Sequence, residues 1–429
     1  MIRTLRFCFA SAAVFGLAAL LVGAAAAPSS PFVKVVMKNW SAWDRNHDKR
    51  LSPEEIDDIV LNPAMRGDDA AAAGTLKLMA RNPSMEGVAL TQEYFQAYDR
   101  GRKAGAKEPE REDAEWSAAL ALKHDEETGG GKKGNTPNWD LLFSAGRSRI
   151  ASGTDGWTGR FVLEHMRQGP LGDCFFISSL GSLLSERPEK VKELITHLSN
   201  GSYRVAFPDG AKLSIRQPTE SELAISSVSA GDGCWLAAME QGYSQYALDK
   251  KGKEPAEEGE ATDAISGGGV TKVVISALTS HTTKSMKIEA TVEGRKANAA
   301  KFLPELRSEL QATLGAHRVM TVSVAAAPDA DGKAKAGKGK LPATPPGINH
   351  RHAYAILAYD RKSDEITIWN PHGQMFQPKG KPGLANGYVT EHGRFHLPLT
   401  EAYTFFSNFT FETGDPIKPV LPAKLGSKK

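Results

Sequence analysis

The chain has 429 residues with 53 basic and 50 acidic side chains, a net charge of +3. That length exceeds one ordinary domain, and the 41% apolar content suits a globular chain rather than a disordered, collagenous or polytopic membrane protein. So small a net charge gives no electrostatic footprint for nucleic acid, and 3 cysteines cannot build a disulfide framework or a four-thiolate zinc site.

Met1–Arg6 carries two arginines, the run from Phe7 to Ala27 is uncharged, and four alanines precede Pro28. Residues 1–27 therefore read as an export signal cut within the alanines. The expected protein is secreted or periplasmic, with no membrane attachment after cleavage. A retained anchor is the alternative, since about 20 apolar residues span a bilayer, but the alanine and glycine content works against it. Cleavage removes Cys8 and leaves Cys174 and Cys234.

Residues 28–99 read as a small helical unit resembling an EF-hand region. Asp44 to Glu55 fits the twelve-residue calcium loop. Its side-chain oxygen donors are Asp44, Asn46, Asp48, Ser52 and Glu55; Arg50 offers its carbonyl, and Leu51 is the apolar strut. Phe32–Trp43 and Pro53–Leu61 have helical patterns on either side. Lys49 stands where glycine normally makes the sharp turn, at a cost of about 1–2 kcal/mol. Ca2+ is the expected ligand, and an acidic helix start without metal is the alternative. Asn82–Glu93 approximates a degenerate second hand and is assigned no ligands.

Residues 100–138 are charged and glycine-containing and read as a linker, with a short helix expected around Glu112–Lys123. A mixed domain is expected over 139–415, followed by a flexible tail, 416–429. Its first half carries helical patterns: Cys174 to Leu198, broken at Arg187-Pro188, then 234–247 and 298–315. Two short strands, Tyr203–Phe207 and Lys212–Arg216, interrupt them. After Arg318 the period switches to strands at Val319–Val324, His352–Tyr359, Glu365–Trp369 and Arg394–Leu397. Lys250–Glu260 and Pro328–Gly347 read as polar surface inserts. A helical half followed by a strand half predicts an α+β fold with a cleft between two lobes.

The segment Gln168-Gly169-Pro170-Leu171-Gly172-Asp173-Cys174-Phe175 places two turn glycines before a thiol that opens an apolar helix. A helix N-terminus favours a thiolate. The Gln168 amide and the Cys174 backbone N–H are the donors that a tetrahedral oxyanion requires. A thiol nucleophile also needs a base and a group to orient it. His352 opens one strand and Asn370 closes the next, with Asp360–Asp364 as the turn, so a hairpin sets them side by side. Asparagine there fixes the imidazole tautomer without adding charge. Cys234, at the start of an apolar helix, reads as a buried free thiol.

These residues carry a resemblance. Gln-Gly-x-x-Gly-Asp-Cys resembles the active-site motif of calpain-like cysteine peptidases, relatives of papain. His352-Ala353-Tyr354 is similar to that family's His-Ala-Tyr strand, and Asn370-Pro371-x-Gly373 to its Asn-Pro-Trp-Gly turn. The segment from Trp235 to Tyr243 resembles a core helix, and Phe395–Phe409 the closing strand and helix, so the likeness spans about 139–412. The resemblance implies a two-lobed endopeptidase acting on protein or peptide substrates. In it Cys174 is the nucleophile, His352 the base and acid, Asn370 the orienter and Gln168 the oxyanion donor. It also implies calcium sites within the core, none of which can be placed on this sequence. Two positions depart from the motif: Phe175 replaces a tryptophan after the cysteine, and His372 replaces the tryptophan of the turn. His350, two residues before His352, would point to the same face if the strand has already started there. The alternatives are an inactive calcium-binding interaction protein on this scaffold and an acyltransferase using the same three residues.

Overall fold

The computed structural model describes residues 29–80, 82, 85–101, 137–154, 156–252, 263–325 and 342–417. The expected signal segment, the helix at 112–123, most of the linker, most of the two polar inserts and nearly all of the tail lie outside the described residues. No helix among the described residues is long and apolar enough to cross a membrane.

Four helices begin the described chain: α1 (Pro31–Trp43), α2 (Pro53–Leu61), α3 (Gly67–Ala80) and α4 (Gln92–Gly101). Proline can stand at the first helical position because its missing N–H has no partner there in any case, and α1 and α2 both start on one. Ser30 caps α1 by accepting from Val33 N (3.0 Å). Ser52 caps α2 in a reciprocal box with Glu55. Phe32, Val36, Trp40 and Trp43 line the buried side of α1. They form one core with α2, α3, Phe95 of α4, and Trp139, Leu142, Phe143 and Ile150 of α5 (Trp139–Gly153). By packing, therefore, α5 belongs with the helices before it.

The helical lobe follows, led by the short strand β1 (Met166–Arg167) and α6 (Cys174–Glu186). Helix α6 stops at Arg187 and α7 (Pro188–Leu194) restarts on the proline, where the sequence placed the break. The helix expected to run to Leu198 ends at Leu194. Ile195-Thr196-His197 becomes β2 instead, because two β-branched residues pair better than they coil and Val205 is there to receive Ile195. With β3 (Tyr203–Ala206) and β4 (Lys212–Ile215) it makes a three-stranded antiparallel sheet. Next come α8 (Glu220–Leu223), β5 (Val228–Ser229), which pairs with β1, α9 (Trp235–Lys250) and α10 (Thr271–Thr279).

The β lobe is a six-stranded antiparallel sheet in the order β10-β9-β8-β7-β11-β6. Its strands are β6 (His281–Lys287), β7 (Met320–Val324), β8 (His352–Asp360), β9 (Glu365–Trp369), β10 (Arg394–Pro398) and β11 (Asn408–Pro416). Helices α11 (Val292–Gly315) and α12 (Leu399–Phe405) share a core with one sheet face through Leu306, Leu310, Ala402 and Phe405. On the α6 side, Ala355, Leu357 and Trp369 join the helical-lobe core. The fold is thus α+β, two lobes meeting where α6 crosses β8.

Candidate active site

The turn before α6 is shaped by close approach rather than by left-handed backbone. A β-carbon on Gly169 would stand 2.6–2.7 Å from the Ser226 backbone and the Ile225 carbonyl, and one on Gly172 would stand 2.5 Å from the Ser266 carbonyl. Glycine alone lets this loop press between the segments flanking it. The loop is then tied on both sides. Gln168 N–H donates to the Pro371 carbonyl (2.8 Å), across to the β lobe, and Gly169 N–H donates to Ser227 Oγ (3.0 Å).

Cys174 begins α6 as a half-buried free cysteine, and Phe175 beside it is buried. The thiol lies against the Ala353 amide, one residue beyond His352. The sequence led us to expect the helix N-terminus to favour a thiolate, but burial wins. Desolvation, reinforced by the adjacent Asp173, pushes the thiol up to about 11, against the pull of the Ala353 and Phe175 amides.

His352 and Asn370 meet at the end of the β8–β9 hairpin, both buried. His352 Nε2 is 2.8 Å from Asn370 Oδ1. The orientation of that amide is fixed by one backbone and one side-chain partner: His372 N–H donates to the same Oδ1 (3.1 Å), and Asn370 Nδ2 donates to Asn349 Oδ1 (3.2 Å). Since Oδ1 only accepts, His352 must carry its proton on Nε2, which leaves Nδ1 as the basic nitrogen. Burial lowers the imidazole to about 4, although the bond to Asn370 opposes the shift. The ring of His372 stacks on that of His352 at 4.4 Å and 28°. It takes the covering place of the expected tryptophan. Burial, then the facing imidazole, also hold His372 well below the ordinary histidine range. His350 is exposed, with Nδ1 3.3 Å from Thr344 Oγ1, and lies outside this arrangement.

Gln168 is buried, and its amide donates one N–H to the Leu171 carbonyl (2.9 Å). The same side chain also hydrogen-bonds the neighbouring Asp173 carboxyl, which that bond lowers against the larger rise from burial. Beneath the loop are three residues that the sequence reading did not single out as a group. Asp173 and Glu240 are fully buried carboxylates facing one another, and both are raised, first by burial. Arg149 of α5 is the cation beside them. Nothing in their spacing, 149, 173 and 240, announces this cluster, because only the fold brings them together. Cys234 is buried with Tyr203 Oη 3.3 Å from its sulfur, a core thiol as expected.

The predicted calcium loop connects α1 to α2 as a helix–loop–helix. Lys49 takes the left-handed conformation (φ 70°) that glycine normally supplies. Leu51 N–H donates to the Leu90 carbonyl (2.9 Å), and Arg50 bridges Thr91, so the second segment lies against the first. The oxygen donors suit a hard cation, and Asp44 Oδ1 is buried with no hydrogen-bond donor. The remaining carboxylates are turned to protein. Glu55 accepts from Arg45 N (2.9 Å), Asn46 N (3.2 Å) and Ser52 N (3.0 Å), and Asp48 accepts from Arg50 N and Nε. Among the described residues no group of three or more His, Cys, Asp or Glu side chains is gathered as a metal site.

A thiol at a helix N-terminus and a buried imidazole–amide pair thus lie at the junction of the two lobes. The sequence model of the calpain family cysteine proteases matches residues 158–381. That is just over half of the chain, so the chain belongs to this family and is a cysteine peptidase, with proteins or peptides as substrates. A search of curated proteins found no match.

Proposed function

We propose that the chain is an exported cysteine endopeptidase in which Cys174, His352 and Asn370 act together. The observation that carries this reading is the His352–Asn370 bond of 2.8 Å with its fixed tautomer. It presents a basic Nδ1 on the strand whose next residue, Ala353, touches the thiol. In the first step His352 Nδ1 takes the Cys174 proton as sulfur bonds to the substrate carbonyl carbon. Because thiol and imidazole each resist a lone charge, the two charges arise together, as a pair. The Cys174 backbone N–H and the Gln168 side-chain amide receive the oxyanion. Nδ1–H then protonates the leaving amine as the C–N bond breaks. Water, deprotonated by the same nitrogen, cleaves the thioester and returns the proton to sulfur. Export rests on the leader read at residues 1–27.

The test is cleavage of a denatured casein-type substrate under reducing conditions by wild type and Cys174→Ala. Loss of turnover in the variant is expected, and undiminished cleavage overturns the assignment. An inert wild type whose Cys174 also resists iodoacetamide would favour the non-catalytic scaffold.

A second reading concerns calcium and rests on Asp44 Oδ1, a buried carboxylate oxygen without a donor. The Arg50 carbonyl and the side chains of Asp44, Asn46, Asp48, Ser52 and Glu55 would hold the ion. Bound there, it would supply positive charge and rigidity between α1 and α2. Trp40 Nε1 donates to Asp44 Oδ2 (3.2 Å), so indole fluorescence should report a calcium titration. A flat titration to millimolar calcium refutes this reading. Repeating the casein assay with chelator shows whether catalysis depends on the metal.

A further inference from the structure

Helix α5 serves two parts of the molecule. One side completes the N-terminal core: Trp139 stacks on Phe32 (4.9 Å between centroids, 7°), and Asp140 Oδ1 receives Ser30 Oγ (2.6 Å). Near its other end, α5 sends Arg149, itself only 8% exposed, beneath the loop that carries Gln168 and Cys174. Arg149 Nη1 donates to the Ser226 carbonyl (3.3 Å) and, with Nη2, to the Gln168 carbonyl (3.4 Å). Glu240 and Asp173 stand close enough to favour its charge against the cost of burial. Glu240 in turn accepts from Ser227 N (2.9 Å).

Gln168 is therefore held from two directions. Its N–H is fixed by Pro371 of the β lobe and its carbonyl by a side chain of the N-terminal core's last helix. We propose that Arg149 is a positioning residue for the oxyanion side of the cleft, and that α5 makes the N-terminal helical unit a working part of the catalytic site. The planar fork is what the place requires: one guanidinium bridges two carbonyls on separate segments through three N–H···O contacts in a rigid geometry, which a rotatable ammonium on a flexible stem does not fix. Slackening that bridge lets the Gln168 backbone shift, and displacements near 1 Å cost on the order of 100-fold in rate.

The inference rests on Cys174 and Gln168 acting as proposed above, and the experiment separates the two. Arg149→Lys keeps the positive charge beside Asp173 and Glu240 and removes the fork. Its kcat on a peptide amide should fall about 10-fold or more with KM unchanged. Alkylation of Cys174 by iodoacetamide, a displacement that develops no oxyanion, should keep the wild-type rate. Gly146→Ala is the second variant. Its β-carbon would stand 3.3 Å from Ala224 Cβ, tighter than ordinary contact, and 3.6 Å from the Ala71 carbonyl, so it crowds α5 chiefly against Ala224, where the N-terminal core meets the helical lobe. It should give the same split with a smaller fall. Wild-type kcat in Arg149→Lys overturns the proposal, as does a parallel fall in kcat and alkylation, which means general damage to the site. Full cleavage by Cys174→Ala removes the reading beneath it instead.

Discussion

Acid should destabilise this protein through the imidazole of its own active site. His352 is 6% exposed, and burial lowers it from an ordinary 6.5 to about 4. Between those values the unfolded chain binds a proton that the folded chain refuses, so stability is intact above pH 6.5 and is lost as pH falls toward 4. With about 1.4 kcal/mol per pKa unit, the loss is about 1 kcal/mol by pH 5.5 and approaches about 3 kcal/mol near pH 4. Asp173 and Glu240 work in the opposite sense. Their folded values are raised, so what they withhold grows as pH rises above the ordinary carboxyl range. The wild-type curve sums these terms, and a difference isolates the imidazole. Urea unfolding of wild type and His352→Gln at pH 7, 5.5 and 4.5 supplies that difference. The variant has its own pH-independent cost, but the gap between the two proteins should narrow toward acid by on the order of 2 kcal/mol at pH 4.5. A gap that stays constant would mean that His352 titrates normally in the fold, and the account of a neutral, buried base would fail.

Two further outcomes follow from the same surroundings. His372→Trp restores an apolar cover over His352 and removes a second imidazole held below its ordinary range, so its urea midpoint should fall less than wild type's between pH 6.5 and 4.5; an unchanged acid slope refutes the assignment. Asn349→Leu removes the acceptor of Asn370 Nδ2 and should lower kcat several-fold, about 1 kcal/mol, with little change in unfolding midpoint. Asn349→Asp, which keeps an acceptor, should recover most of that activity, and equal losses in both variants exclude this role.

How legible the molecule was depends on the range of the force involved. Local signals read well: the pattern of Pro53–Leu61 announces a helix, Arg187-Pro188 a break, and the alternation after Arg318 a run of strands. His352 and Asn370 could be brought together because a hairpin is itself a local structure, here closed by a four-residue turn, 361–364, with one register shift between Ile356 and Ala358. Strands β6 and β11 left no such mark. His281–Lys287 is mostly polar, and Asn408–Pro416 earns its place only by pairing with both β6 and β7. The thiol shows the limit most clearly. From sequence, Cys174 at a helix start should be acidified; in the fold, burial and the Asp173 carboxylate next to it raise it. Desolvation is a sum over everything packed around a group, so no motif of seven residues can contain it. The same holds for Arg149, which looks like one of two arginines on a charged helix until α5 is docked. Once its apolar side is buried against α1 and α3, the chain has no choice about where the opposite side points. A residue 25 positions before the thiol is then delivered beneath it, and the N-terminal helices acquire a stake in chemistry that occurs in another lobe.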